Sequence, residues 1–165
     1  MAKSKEEKTN VMRVLEQRKI PYVPHTYDHP DGAVDGASVA RLLGQDPAAV
    51  FRTLVTRGAS KTCHVFVIPV LAELDLKKAA KAVGEKSVEM IHVKELLPLT
   101  GYVRGGCSPI GMKKRLPTTI HASALEQERI AVSAGKIGAQ VELSPRDLAA
   151  LTGAAFADVV REEGP

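Results

Sequence analysis

The chain has 165 residues, the length of one domain with a sizeable core, and its 44% apolar and 25% charged residues exclude a disordered or fibrous protein. Twenty-three basic side chains against nineteen acidic ones give a net charge of +4, a mild bias toward a polyanionic partner that does not by itself identify one. No apolar run nears the ~20 residues of a membrane helix, and the N-terminus lacks a signal-peptide segment. Cys63 and Cys107 have neither CxxC zinc spacing nor a disulfide framework, so the expectation is a cytoplasmic protein with reduced thiols and no membrane partner.

In chain order, Ser4 and Glu7 read as a capping box, and Val11, Val14 and Leu15 fall on one face of a first helix. Ile20 to Tyr27 carries two prolines among β-formers, which predicts an edge strand or extended arm. Val39, Leu42 and Leu43 mark a short helix closed by Gly44, and Asp46-Pro47 opens a turn. Val50 to Thr56 and Cys63 to Val70 are β-rich runs joined through Gly58 to Lys61, which predicts a hairpin. Asp75 caps a helix over Leu76 to Val83 that Gly84 ends, Ser87 to Ile91 suits a strand, and a helical turn from Val93 to Leu97 is stopped by Pro98. Thr118 to His121 and Arg129 to Ser133 read as strands flanking a short helix, Ala124 to Gln127. Gly135 to Gly138 turns into Gln140 to Leu143, and Ser144-Pro145 starts a helix ending near Gly153. Strands and helices interleave irregularly, which predicts a single α/β domain over residues 1–165. Its sheet is expected to be mixed and mostly antiparallel, forming a partly closed barrel with peripheral helices.

The stretch from Gly101 to Arg115 packs four glycines, one proline and four cations into fifteen residues. Such a composition builds a loop that approaches a ligand closely and aims backbone N–H groups at an oxygen bearing negative charge, either a phosphate or a carbonyl becoming an oxyanion. Gly106 and Gly111 have the glycine spacing of a phosphate-binding P-loop, but Met112 stands where its lysine belongs, no Ser or Thr follows, and Pro117 cuts short the required helix. Lys113, Lys114 and Arg115 fit either a solvated charge run or a nucleic-acid contact. Cys107 has no histidine in a recognisable cysteine-enzyme pattern and reads as a thiol that fills the loop. His25 and His29 sit in a Pro-bounded extended segment where an i, i+4 pair does not converge, so no metal site is expected.

Four segments in order carry a resemblance: His25-Thr-Tyr-Asp-His29; Val50-Phe-Arg-Thr-Leu-Val55; Leu74 to Lys81 leading to Val88-Glu-Met90; and Thr100 to Arg115. Together they resemble the YbaK/EbsC family of aminoacyl-tRNA deacylases, itself similar to the inserted editing domain of bacterial prolyl-tRNA synthetase. The likeness runs from about Thr9 to Glu162 and includes Val132 to Leu143 and Phe156 to Val159.

The resemblance implies a trans-editing enzyme, without a cofactor, that removes cysteine from Cys-tRNA(Pro) and Cys-tRNA(Cys), with prolyl-tRNA synthetase as a partner. Cysteine and proline are similar in size, so one binding pocket separates them poorly and a second hydrolytic step supplies the selectivity. The implied chemistry is substrate-assisted: the substrate thiol attacks its own carbonyl carbon and expels the ribose hydroxyl. In that reading Gly105 and Gly106 polarise the carbonyl, Arg52 holds the terminal adenosine, and Phe51 and Thr53 flank it. Tyr27, Ser133 and Gln140 line the pocket, Ser108 and Pro109 shape the loop, and Lys113, Lys114 and Arg115 contact RNA. Three positions depart from the family pattern: Arg52 replaces a lysine, Gln140 replaces an aspartate frequent in the cysteine-specific relatives, and Cys107 replaces an aliphatic residue. These departures keep two alternatives open, a deacylase for another ester such as Ala-tRNA(Pro), and a module that holds tRNA ends or nucleotides without catalysis.

Overall fold

The structure, a computed structural model, describes residues 8–29 and 35–162; the Ser4 and Glu7 capping box lies outside them. Helix α1 (Asn10–Gln17) is instead capped by Thr9, whose hydroxyl accepts from the Met12 N–H, and it buries Val11, Met12 and Leu15. Strand β1 (Val23–Thr26) is followed by α2 (Gly36–Leu43), a 3-10 turn at Pro47–Ala49, β2 (Phe51–Gly58) and β3 (Cys63–Pro69). Next come α3 (Leu76–Val83), β4 (Val88–Met90), α4 (Val93–Thr100), β5 (Thr118–His121) and a 3-10 turn at Ala122–Glu126. The chain then runs through β6 (Ile130–Ser133), β7 (Ala139–Leu143), α5 (Pro145–Thr152) and β8 (Ala155–Ala157).

Two sheets result, one of order β1-β7-β6 and one of order β4-β2-β3-β5-β8. Four strand pairs are antiparallel and two, β3 with β5 and β5 with β8, are parallel, so the sheets are mixed and mostly antiparallel. They do not close into the expected barrel; an isolated parallel bridge from Val50 to Ala131 links them. That bridge lies at the start of β2, the strand that carries Phe51, Arg52 and Thr53.

Strand β3 explains the layering. Val65 and Val67 turn to a core shared with Val132, Val141 and Leu143 of the three-stranded sheet and with α1 and α5. Phe66 and Ile68 turn the other way, onto Ala79 and Ala80 of α3. A central strand covered on both faces loses polar alternation and becomes the continuous apolar run seen in the sequence.

Two elements differ from expectation. Helix α4 runs through Pro98 to Thr100 and its Gly101 cap: the missing proline N–H costs only the bond to the carbonyl of Lys94, in the first turn of the helix, and Gly101 N–H still bonds to Leu97 O at 2.8 Å. Strand β8 was not foreseen; its three residues are too few to show a period, and pairing with β5 defines it.

Candidate functional site

The loop from Gly101 to Met112 is closed at its base by Lys113 N–H donating to Thr100 O at 2.8 Å. It is more than a ligand-facing surface turn, because Tyr102, Cys107 and Ile110 are part of the main core. The Tyr102 hydroxyl donates to Ile110 O, and the Ile110 N–H donates to Ser108 Oγ at 3.2 Å, so the loop is tied across its own width. Gly105 takes φ +89°, a conformation that disfavours any side chain. Gly106 answers a different need: a Cβ there would lie 3.0 Å from the backbone of Lys136 and Ile137, so only glycine lets the loop touch the turn before β7.

Beside this loop opens a cavity of about 660 Å³. Its wall brings together Tyr27 after β1; Phe51, Arg52 and Thr53 of β2; Gly105 of the loop; and Ser133 and Gln140 of β6 and β7. Tyr27 is backed edge-on by the His29 ring at 6.4 Å, and its N–H bonds to Gly138 O at 2.9 Å. Ser133 and Gln140 are direct partners in the β6–β7 ladder, and Gln140 also pairs with His25 of β1.

Arg52 lines the cavity, with Nη2 donating to Ala72 O at 2.7 Å. Desolvation lowers its pKa and the nearby Glu73 carboxylate partly offsets this. It forms no ion pair among the described residues, so a surface salt bridge does not account for it.

Other residues singled out in the sequence fall elsewhere. Gly106, expected to polarise a carbonyl, is buried outside the lining of the larger cavity, and its N–H donates to Val103 O at 3.0 Å. The N–H groups of Gly105 and Cys107 have no acceptor among the described residues, and both residues line the cavity. Ser108 is fully buried under the loop. Pro109 and Arg115 line a separate cavity of about 200 Å³, together with Met112, Leu116 and Leu151. The Arg115 guanidinium lies against Gly153 at the end of α5, while Lys113 and Lys114 are exposed.

Sequence reasoning missed Arg104 and Asp35, which also line the larger cavity. Arg104 was visible as one of the loop's four cations, but nothing in its neighbours showed which way it faced. Asp35 caps α2 through the Ser38 N–H, and this bond, with that to the Ser38 hydroxyl, keeps its carboxyl below the usual carboxylate range. Cys107 lines the cavity while 9% exposed, and burial pushes its thiol up to about 12. At neutral pH such a thiol stays protonated, the poorly nucleophilic form of cysteine. Among the described residues no group of three or more His, Cys, Asp or Glu side chains is placed to hold a metal ion.

Comparison with known proteins fits this geometry. A family described as the aminoacyl-tRNA editing domain matches residues 31–151. A protein of Enterococcus faecalis provisionally named Cys-tRNA(Pro)/Cys-tRNA(Cys) deacylase EbsC is 48% identical over 164 residues, covering 99% of this chain and all of that one. Among solved structures, one provisionally described as a trans-editing enzyme for prolyl-tRNA synthetase superposes with a TM-score of 0.78 at 26% identity, covering 92% of this chain and 95% of its own. A second, described only as a hypothetical protein, gives a TM-score of 0.83 at 26% identity, covering 94% of this chain and all of its own.

Proposed function

The chain belongs to the aminoacyl-tRNA editing family, and we propose that it acts in the cytoplasm as a deacylase that releases cysteine from Cys-tRNA(Pro), and from Cys-tRNA(Cys). The observation that carries this reading is convergence: Tyr27, Arg52, Gly105, Ser133 and Gln140, far apart in sequence, line one cavity of about 660 Å³. That volume is within the range of sites that enclose a drug-sized ligand, and the terminal aminoacyl-adenosine of a tRNA is of that class.

The nucleophile in this reading comes from the substrate. Its thiolate sulfur bonds to the ester carbonyl carbon, and the negative charge moves to the carbonyl oxygen. Collapse then breaks the C–O bond to the ribose, whose oxygen leaves and takes up a proton. The cysteine departs as a four-membered thioester that water opens. What the protein supplies is rigid placement of thiol against carbonyl, and N–H donors for the oxygen, each contributing on the order of 3 kcal/mol when well aimed. The Gly105 and Cys107 N–H groups fit that task, since neither has an acceptor among the described residues. The protonated state of the Cys107 thiol supports a substrate-derived nucleophile, because the cavity's own sulfur is held inactive.

Arg52 suits the phosphate or ribose of the terminal adenosine. One of its nitrogens is fixed on Ala72 O and the rest of the planar fork is left for the ligand. Prolyl-tRNA synthetase is the partner suggested by the name of the structural neighbour. The test is to incubate the protein with proline tRNA charged separately with cysteine, alanine and proline and to follow loss of each ester. Release of cysteine alone is expected. Release of alanine in preference would assign the site to Ala-tRNA(Pro), and no release of any ester from a folded, tRNA-binding sample would leave only a module that holds tRNA ends.

A further inference from the structure

Gln45 does not line the cavity, yet its side-chain amide reaches a residue that does. Its Nε2 donates to Oε1 of Gln140, a contact spanning 95 positions of sequence. The end of α2 delivers it there. Gly44, at φ +66°, turns the chain, and the Gln45 N–H closes the cap on Ala40 O at 2.8 Å. Ala40 packs on Val50 and Ala131, next to the bridge that joins the two sheets.

With Oε1 taken, Gln140 presents what remains of its amide. Its Nε2, two N–H donors, has no partner among the described residues and is open to the cavity, although the residue is only 5% exposed. Gln45 Oε1, by contrast, is buried without a partner. A buried pair serving packing alone would satisfy both amides; this one leaves an acceptor orphaned and fixes which end of Gln140 faces the cavity.

A neutral donor that does not titrate is suited to a carbonyl oxygen gathering negative charge. It adds to the Gly105 and Cys107 N–H groups of the loop, whose neighbour Gly106 has its own N–H committed to Val103 O. We propose that Gln45 is a positioning residue: by holding Oε1 of Gln140 it aims the Gln140 Nε2 donors at the carbonyl oxygen of the aminoacyl ester. This rests on the deacylase reading above and adds to it a donor outside the glycine loop.

The experiment is a double-mutant cycle read in kcat and KM on the ester that the wild-type protein cleaves. Gln45→Met removes the donor at nearly constant volume, and Gln45→Glu, ionised at pH 8, accepts from Gln140 Nε2 and turns Oε1 toward the cavity. Each is expected to lower kcat about tenfold or more while KM changes less than about threefold, as for an interaction made chiefly in the transition state. In a Gln140→Ala background, Gln45→Met is expected to cost nothing further. Unchanged kcat in Gln45→Met, an equal loss in both backgrounds, or a gain in Gln45→Glu would overturn the proposal.

A second measurement titrates protein with Gln45 and Gln140 intact. The side-chain NH₂ resonances of Gln140, assigned with Gln140→Ala, are followed by NMR while a non-hydrolysable, amide-linked cysteinyl-adenosine is titrated in. They are expected to shift, and no shift at saturation would overturn the proposal. Because this spectrum needs no turnover, failure of the positioning role and failure of the deacylase reading are told apart.

Discussion

One face of the glycine loop, through Arg104, Gly105 and Cys107, closes a cavity of about 660 Å³ that also takes polar side chains from β2, β6 and β7. The other face, through Pro109, Ile110, Met112 and Arg115, closes a cavity of about 200 Å³ floored by Val14, Leu116 and Leu151. Residues two positions apart in one motif therefore serve opposite sides of a wall. The wall is stiff because Tyr102, Cys107 and Ile110 are rooted in the main core. A contiguous motif thus identifies the site without saying which of its members meet the ligand; that is decided by what each backbone and side chain has already bonded to.

The strongest way to break this contrast is to disturb the wall itself. In Gly106→Ala the new methyl meets the Lys136 and Ile137 backbone at 3.0 Å, so loop and turn must part by a few tenths of an ångström. Carried to the neighbouring Gly105 and Cys107 N–H groups, that shift is expected to cost more than tenfold and up to about 100-fold in kcat/KM, measured by ester hydrolysis at unchanged far-UV circular dichroism. Removing a charge from the larger cavity is expected to do less: Arg52→Ala should lose roughly tenfold, as for one charge-assisted hydrogen bond. Arg52→Lys, which keeps the charge, should maintain or raise the rate. On the smaller cavity, Arg115→Ala is expected to change kcat/KM by less than about threefold, the scale of a solvent-exposed charge. A loss as large as that of Arg52→Ala would erase the distinction between the faces.

Cys107→Ser carries the smallest expected effect. Burial holds this thiol protonated up to about 12, so from pH 6 to 9 it contributes no thiolate in wild type and its replacement should leave the pH–rate profile unshifted. Collapse of the rate in a folded variant would assign Cys107 a chemical role.

Much of the scaffold was legible because its signals are local. Asp75 before α3 and Ser144-Pro145 before α5 are side-chain and φ preferences that act within one turn, and each helix starts where they indicate. The β2–β3 hairpin followed from two β-rich runs and a glycine-containing link. The misreadings have the opposite character. Pro98 is tolerated because it stands one turn into a short helix and its missing N–H costs only the bond to the Lys94 carbonyl, β8 is defined by pairing with β5, and closure of the barrel depends on long-range pairing between strands that local pattern does not encode.

The site divides in the same way. Tyr27, Arg52, Gly105, Ser133 and Gln140 were reachable through motif resemblance and do line the cavity. Gly106 N–H is bonded to Val103 O and Pro109 lines the smaller cavity, placements that depend on how the loop folds and that its residue types do not encode. Gln45 had no signal at all, since its partner lies 95 residues away.

The central claim, that the substrate brings the nucleophile and the cavity supplies placement and donors, is tested most directly by charging one proline tRNA with cysteine and, separately, with serine, and comparing single-turnover hydrolysis by the wild-type protein. The two esters differ by sulfur against oxygen. Rapid loss of the cysteine ester with serine loss near the protein-free rate is the expected result; equal acceleration of both would contradict the account and return the nucleophile to the protein or to water.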